Sequence, residues 1–131
     1  METTDFAKQL SAFLTRYLAG ERNYSTNTIL AYKDTFVQFI TYMKDQRKVA
    51  VQKLTLECMT KEVVINFLDW TQENRHCSNV TWNCRLAALR SFFNYLQYEY
   101  PERLYEWQKI LSIKVKKAEK HSIDYLTTDG I

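Results

Sequence analysis

Only three of the 131 residues are Gly or Pro, two Gly and one Pro. Average usage would put roughly 12% of a chain in these two types. Folds rich in sheet turn often, and tight turns draw on Gly, Pro and Asn. A sandwich or barrel is thereby nearly excluded, and an all-α fold is expected. The same scarcity removes classes of function. The chain holds no GxGxxG and no GxxxxGK[ST], so it has no recognisable loop for cradling a nucleotide phosphate, and no cofactor is expected.

The length argues for one domain, and a folded chain of this size buries roughly two-thirds of its unfolded surface. With 46% hydrophobic and 15% aromatic residues, the bulk of the chain is expected to fold. No apolar run approaches the roughly 18 residues of a membrane span. The opening METTDFAKQL has neither the basic start nor the apolar core of a signal peptide. Cys58, Cys77 and Cys84 are odd in number and at no metal-ligand spacing, so reduced thiols in a cytosolic protein are expected and no metal site. The net charge of +3 names no partner by itself. Locally, however, Lys109, Lys114, Lys116, Lys117 and Lys120 face only Glu119, which reads either as a solvated segment or as a linker that tracks phosphates.

Helical periodicity dominates the pattern. A first helix is expected from about Thr4 to Ala19, with Phe6, Leu10, Phe13, Leu14 and Tyr17 on one stripe and Gly20 as a left-handed stop. A second runs from about Ser25 to Gln46, where Ile29, Tyr32, Phe36, Phe39, Ile40 and Met43 recur at spacings of three and four. Residues 47–59 lose that period and read as a connector anchored by Val51, Leu54 and Leu56. The third helix starts at the cap Thr60 and ends near Asn74. Val63, Phe67 and Trp70 form its stripe, and Val64, Ile65 and Leu68 widen it to more than one buried side. The fourth runs from Ser78 or Asn79 to Tyr100, with Trp82, Leu86, Leu89, Phe93, Leu96 and Tyr100 inward. Pro101 then opens a short fifth helix to about Leu111, docked by Leu104, Trp107 and Leu111. Beyond it, 112–124 reads as a basic linker. Residues 125–131 read as a further helix start that is cut off, which points to a piece of a longer protein.

Catalysis finds little to work with. Nucleophilic chemistry needs a nucleophile, a base and an orienting group held together, yet the only histidines, His76 and His121, fall in expected loops. A binding module is favoured over an enzyme. The two long helices carry the informative residues. Each opens on short polar residues, Ser25-Thr26-Asn27-Thr28 and Ser78-Asn79-Val80-Thr81, where exposed N–H groups suit phosphate oxygens. Thr26, Lys33 and Lys44 share a flank of the second helix. On the fourth, Asn83, Ala87, Arg90 and Asn94 lie along one flank, with Arg85 also on this helix. Asparagines can bond base edges, and a small Ala permits close approach in a major groove. Ordinary capping and solvated flanks explain the same residues.

Residues 24–40, YSTNTILAYKDTFVQFI, resemble the opening motif of the core-binding domain of tyrosine recombinases, the phage integrase family, with Ser25, Thr28, Tyr32, Phe36 and Phe39 at the motif positions. Residues 81–96, TWNCRLAALRSFFNYL, resemble that family's fourth helix through Arg85, Leu86, Ala88, Leu89, Arg90, Phe93 and Leu96. Leu54-Thr55 and the Thr60 helix fit its third segment, and Tyr125-Leu126-Thr127 resembles the entry to the catalytic domain. The resemblance implies a four- to five-helix SAM-like bundle forming one jaw of a clamp on double-stranded DNA, its second and fourth helices against the major groove of the core recombination site. It implies a catalytic domain of the same parent chain as the other jaw, supplying the attacking Tyr, and a homotetramer on DNA with a cytoplasmic, nucleoid-associated location. None of the nine tyrosines here is expected to be the nucleophile. Cys84 and Ser91 stand where many members carry basic residues, which weakens the expected grip.

The expected DNA-contacting residues are Thr26, Asn27 and Lys33 from the second helix, Asn83, Arg85, Ala87, Arg90 and Asn94 from the fourth, and Lys116 and Lys117 from the linker. Five linker charges that each met a phosphate would give a log–log salt slope of about −4.5. The alternative from a different class is a helical protein–protein adaptor, which predicts an exposed apolar groove and no continuous positive face. A helix-turn-helix regulator needs a turn of about three or four residues between its helices, which the 47–59 and 75–78 connectors fit poorly.

Overall fold

The structure, a computed structural model, describes residues 4–117. Its five α-helices are α1 (Asp5–Ala12), α2 (Thr26–Gln46), α3 (Lys61–Arg75), α4 (Asn79–Glu99) and α5 (Leu104–Leu111), and the described residues contain no strand. Hydroxyl side chains start four of them. Thr4, Ser25, Thr60 and Ser78 each accept a hydrogen bond, at 3.2 Å, from the backbone N–H three residues on. Each bond satisfies one of the donors that a helix N-terminus leaves open. Pro101, which has no N–H to lose, opens the 3₁₀ turn Pro101–Arg103 that leads into α5. Left-handed residues close two helices: Lys48 (φ 59°) after α2 and His76 (φ 52°) after α3.

The expected first helix is two elements. After α1 the chain winds as a π-helix over Phe13–Glu21. Its bonds run from i to i+5, which brings residues five apart onto one face. Phe13 and Leu18 are both fully buried for that reason. A 3.6-residue period would set them about 140° apart. Gly20 lies within this π-helix and does not stop it; the left-handed residue is Asn23 (φ 53°), one before Tyr24.

Helix α4 is central, and Phe92 is its pivot. The Phe92 ring lies 5.2 Å from those of Phe13 and Phe36, 6.0 Å from Phe6 and 5.7 Å from Phe93. One side of α4 thus meets α1, the π-helix and α2, and Tyr95 bonds Gln9 from that side at 2.9 Å. The other side meets α5 through Phe93 and Trp107, whose rings are 5.5 Å apart, and α3 through Trp82, which donates to Asp69 at 3.0 Å. The expected single inner face is therefore only part of what α4 buries, since Ala88, Phe92 and Tyr95 are buried as well.

Two docking expectations are corrected. Leu54 and Leu56 anchor the 47–59 connector, but Val51 is 41% exposed. That connector forms two short 3₁₀ turns and is tied to α1 where the Leu56 N–H donates to Asp5 Oδ1 at 2.9 Å. Trp107 docks α5, while Leu104 is 43% exposed because it opens the helix on the outward side.

After α5 the chain turns back along α4. Ile113 is buried, and residues 113–117 have no regular structure. The rest of the expected linker, and the expected start of a further domain at 125–131, lie outside the described residues. Among the described residues no helix is long and apolar enough to cross a membrane.

Candidate nucleic-acid interface

Helices α2 and α4 cross so that their N-terminal halves share an outer surface. Thr26, Asn27 and Lys33 are exposed on α2. The hydroxyl of Ser25 is engaged by Thr28 (O–O 3.0 Å), so the free polar groups at this helix start belong to the next two residues. On α4, Ala87 and Asn94 are exposed and Arg85 is half-buried, donating Nη1 to Cys77 Sγ at 3.2 Å. Asn94 accepts from the Gln97 amide at 3.0 Å.

Two grooves meet on this surface. The larger, about 500 Å³, brings Asn83, Ala87, Arg90 and Asn94 of α4 opposite Tyr17, Arg22, Tyr24 and Tyr32. The second, about 390 Å³, runs between Thr28, Ala31 and Asp34 of α2 and Thr81, Cys84 and Arg85 of α4. Tyr32 and Ala87 line both. Two arginines and no carboxylate stand in the wall of the larger groove, whereas Asp34 stands in the wall of the second.

Besides Arg85 and Asn94, three more of the expected contact residues have side chains engaged within the domain, Asn83, Arg90 and Lys116. Asn83 donates to the Lys116 carbonyl at 2.8 Å and accepts from the Lys116 N–H at 2.7 Å. Arg90 donates Nη2 to the Leu111 carbonyl at 2.9 Å. The Lys116 ammonium donates to Gln72 Oε1 at 2.6 Å, sits 3.6 Å from Asp69 Oδ1, and lies 4.8 Å from the centre of the Trp82 ring. Asn79 donates to the Lys117 carbonyl at 3.0 Å, which leaves the exposed Lys117 side chain outside that bond. The strap 113–117 is thus fastened to α4 by Asn79 and Asn83, and Arg90 ties the end of α5 just before it, although in the sequence the polarity of these residues pointed outward.

The opposite wall escaped the sequence reading. Tyr17 and Tyr32 belong to apolar stripes, and Arg22 and Tyr24 lie between expected helices. The available signal was the phenol at the end of each ring, which keeps a tyrosine's tip at a surface when its body packs. Arg22 donates Nη1 to the Tyr17 hydroxyl at 3.4 Å, and its guanidinium carbon is 5.7 Å from the centre of the Tyr24 ring. That hydrogen bond, followed by the neighbouring phenols, raises the Arg22 pKa above its ordinary value. Burial raises the Tyr32 phenol, the Tyr24 phenol adds to the rise, and the Arg22 charge partly opposes it. Tyr32 therefore remains a neutral hydroxyl donor well above pH 7.

These elements define an all-α, five-helix SAM-like domain. Residues 10–100 match the family described as phage integrase, N-terminal SAM-like domain, and the chain belongs to that family. It is similar to the putative integrase/recombinase y4rC of Sinorhizobium fredii, 30% identical over 121 residues that cover 92% of this chain and 36% of that protein. The putative integrase/recombinase y4rD of the same organism is also 30% identical over 121 residues, covering 92% of this chain and 43% of that protein. Tyrosine recombinase XerC of Roseiflexus castenholzii is 38% identical over 89 residues, 68% of this chain and 26% of that protein. The chain thus spans well under half the length of these curated relatives. No solved structure matches it.

Proposed function

We propose that the chain is the core-binding jaw of a tyrosine recombinase, gripping the duplex of a recombination site with the outer surface of α2 and α4. The observation that carries this reading is the carboxylate-free, arginine-bearing groove beside α4, placed next to the exposed start of α2. Such a surface accepts a polyanion, while the amides and small side chains of α4 allow close approach to base edges. Its polar walls disfavour the adaptor alternative, which requires an apolar groove. A catalytic domain of the same parent polypeptide would supply the tyrosine that attacks DNA, and four parent copies would assemble on the site.

Within this reading the contacts divide by what the fold leaves available. Thr26, Asn27 and Lys33 approach phosphates at the start of α2, and Ala87 and Asn94 face the bases. Lys33, Arg85 and Lys117 neutralise phosphates. Asn83 and Lys116 act chiefly by holding the strap, because their polar groups already have partners, while Arg90, bonded to the Leu111 carbonyl through Nη2, keeps its charge in the groove wall. Three phosphate contacts give a log–log salt slope of about −2.7, shallower than five linker charges would give.

The test is a fluorescence-anisotropy titration of duplex DNA with the 131-residue chain across salt concentrations. The expected result is binding that weakens with salt at least that steeply, and that weakens further in Lys33→Gln at every duplex sequence. Binding indifferent to salt, or absent at low salt from a folded chain, would sink the proposal.

A further inference from the structure

The wall of the larger groove opposite α4 holds a cation that the α2–α4 reading leaves unused. We propose that Arg22, seated on Tyr17 and Tyr24, contacts a backbone phosphate of the bound duplex on the strand flanking α4. This deepens the DNA-binding reading and rests on it.

The argument begins with the backbone. The Arg22 N–H closes on the Tyr17 carbonyl at 2.8 Å, and the Tyr24 N–H on the Leu18 carbonyl at 2.8 Å. The π-helix and left-handed Asn23 therefore fix where Arg22 leaves the chain. The side chain is exposed and yet held, by the Tyr17 hydroxyl at 3.4 Å and the Tyr24 ring at 5.7 Å. It rests on phenols, which position a guanidinium without neutralising it. Lys116 and Lys109 differ: each lies within 4 Å of a carboxylate, at 3.6 Å from Asp69 and 3.4 Å from Glu106. Ordering a long side chain before binding removes part of the entropy cost of contact. A planar five-donor fork suits phosphate oxygens.

Geometry selects phosphate over base. A DNA major groove is about 12 Å wide, and a helix with its side chains is about as thick. When α4 occupies the groove, base edges lie beneath it. A group across a surface cleft from α4 then falls on the neighbouring phosphate row. Arg22 stands in that position relative to Asn94 and Arg90.

The experiment uses the 131-residue chain and labelled duplexes of several unrelated sequences, titrated between about 50 and 200 mM salt. Arg22→Gln is expected to make the salt slope shallower by about 0.9 and to weaken binding roughly eightfold at 0.1 M salt, by the same factor on every sequence. Arg22→Lys, which keeps the charge, retains most of the slope and covers the case in which the glutamine variant folds poorly. Tyr17→Phe, at a positioning residue, weakens binding while leaving the slope unchanged. Arg47→Gln removes the same charge at the other end of α2, about 30 Å away, and moves the slope less. Equal effects of Arg22→Gln and Arg47→Gln would reduce the result to net charge and overturn the proposal. An unchanged slope in Arg22→Gln alongside a loss in Lys33→Gln would overturn it while leaving the α2–α4 reading intact. No binding by the wild-type chain would overturn both.

Discussion

Asn83→Ala tests whether the strap is a fixed part of the domain. The native carboxamide makes two bonds to one residue, donating to the Lys116 carbonyl at 2.8 Å and accepting its N–H at 2.7 Å. At a net worth of roughly 0.5–1.5 kcal/mol each, their loss costs about 1–3 kcal/mol. That cost falls on the strap, because α4 retains its own backbone bonds and its buried aromatic faces. The Arg90 bond to Leu111 and the Asn79 bond to Lys117 flank the break, so residues between them open locally. Amide hydrogen exchange reads the opening directly. Protection of the Lys116 N–H should fall roughly 5- to 140-fold, while amides in the middle of α4 keep their native rates. Asn83→Asp supplies a second arm. It keeps an acceptor for the N–H but sets an oxygen against the Lys116 carbonyl, so it should loosen the strap even though the residue is nearly the same shape. Native protection of Lys116 in both variants would refute the reasoning. A uniform loss across all helices would refute it too, by showing that Asn83 supports the whole fold.

Three further outcomes follow from the geometry. Gly20→Ala should be neutral or stabilise by up to about 1 kcal/mol in a urea melt, since no atom lies within 4 Å of an added Cβ, whereas Asn23→Ala at φ 53° should destabilise. Trp107→Ala should cost about 3–5 kcal/mol, a large share of the roughly 5–15 kcal/mol available to a domain, because the side chain is fully buried, stacks on Phe93 and donates to the Tyr100 carbonyl at 2.9 Å. In a spectrophotometric titration the Tyr32 phenol should ionise above the ordinary tyrosine value of 10.0, and the difference spectrum against Tyr32→Phe should isolate that transition. The folded form keeps this proton when the unfolded chain has lost it. Above pH 10 the Tyr32 contribution therefore lowers stability as pH rises, and it has no effect on stability well below that pH.

What the sequence discloses depends on which physical rule operates locally. The starts of α2, α3 and α4 were legible because a hydroxyl cap three residues before an N–H is a local arrangement, complete within four residues. Their apolar stripes were legible because 3.6-residue winding repeats. The π-helix breaks that period, so Leu18, about 140° from Phe13 at 3.6 residues per turn, falls on the same face as Phe13 only once the wider turn is known. Phe92 was missed for another reason: a helix packed on two sides buries adjacent residues, and Phe92-Phe93 gives a single-stripe reading no reason to choose both. Val51 and Leu104 show the converse, apolar residues at suitable spacing with nothing above them.

The polar flank of α4 shows why a candidate interface is harder to read than a core. Burial of an apolar side chain follows from its own chemistry, and almost any neighbour serves. A hydrogen bond from Asn83 or Arg90 depends on which oxygen arrives, and both oxygens come from residues 21 to 33 positions later in the chain. An asparagine offers one donor and one acceptor side by side, the same pair that a peptide unit presents at its two ends. Asn83 can therefore hold a strand-like segment that has no partner strand, as it holds Lys116 here. The same two atoms would suit the edge of an adenine equally well. Residue type and spacing are identical in the two cases, so only the folded chain distinguishes a residue that fastens the strap from one, such as Asn94, whose exposed side chain faces the groove.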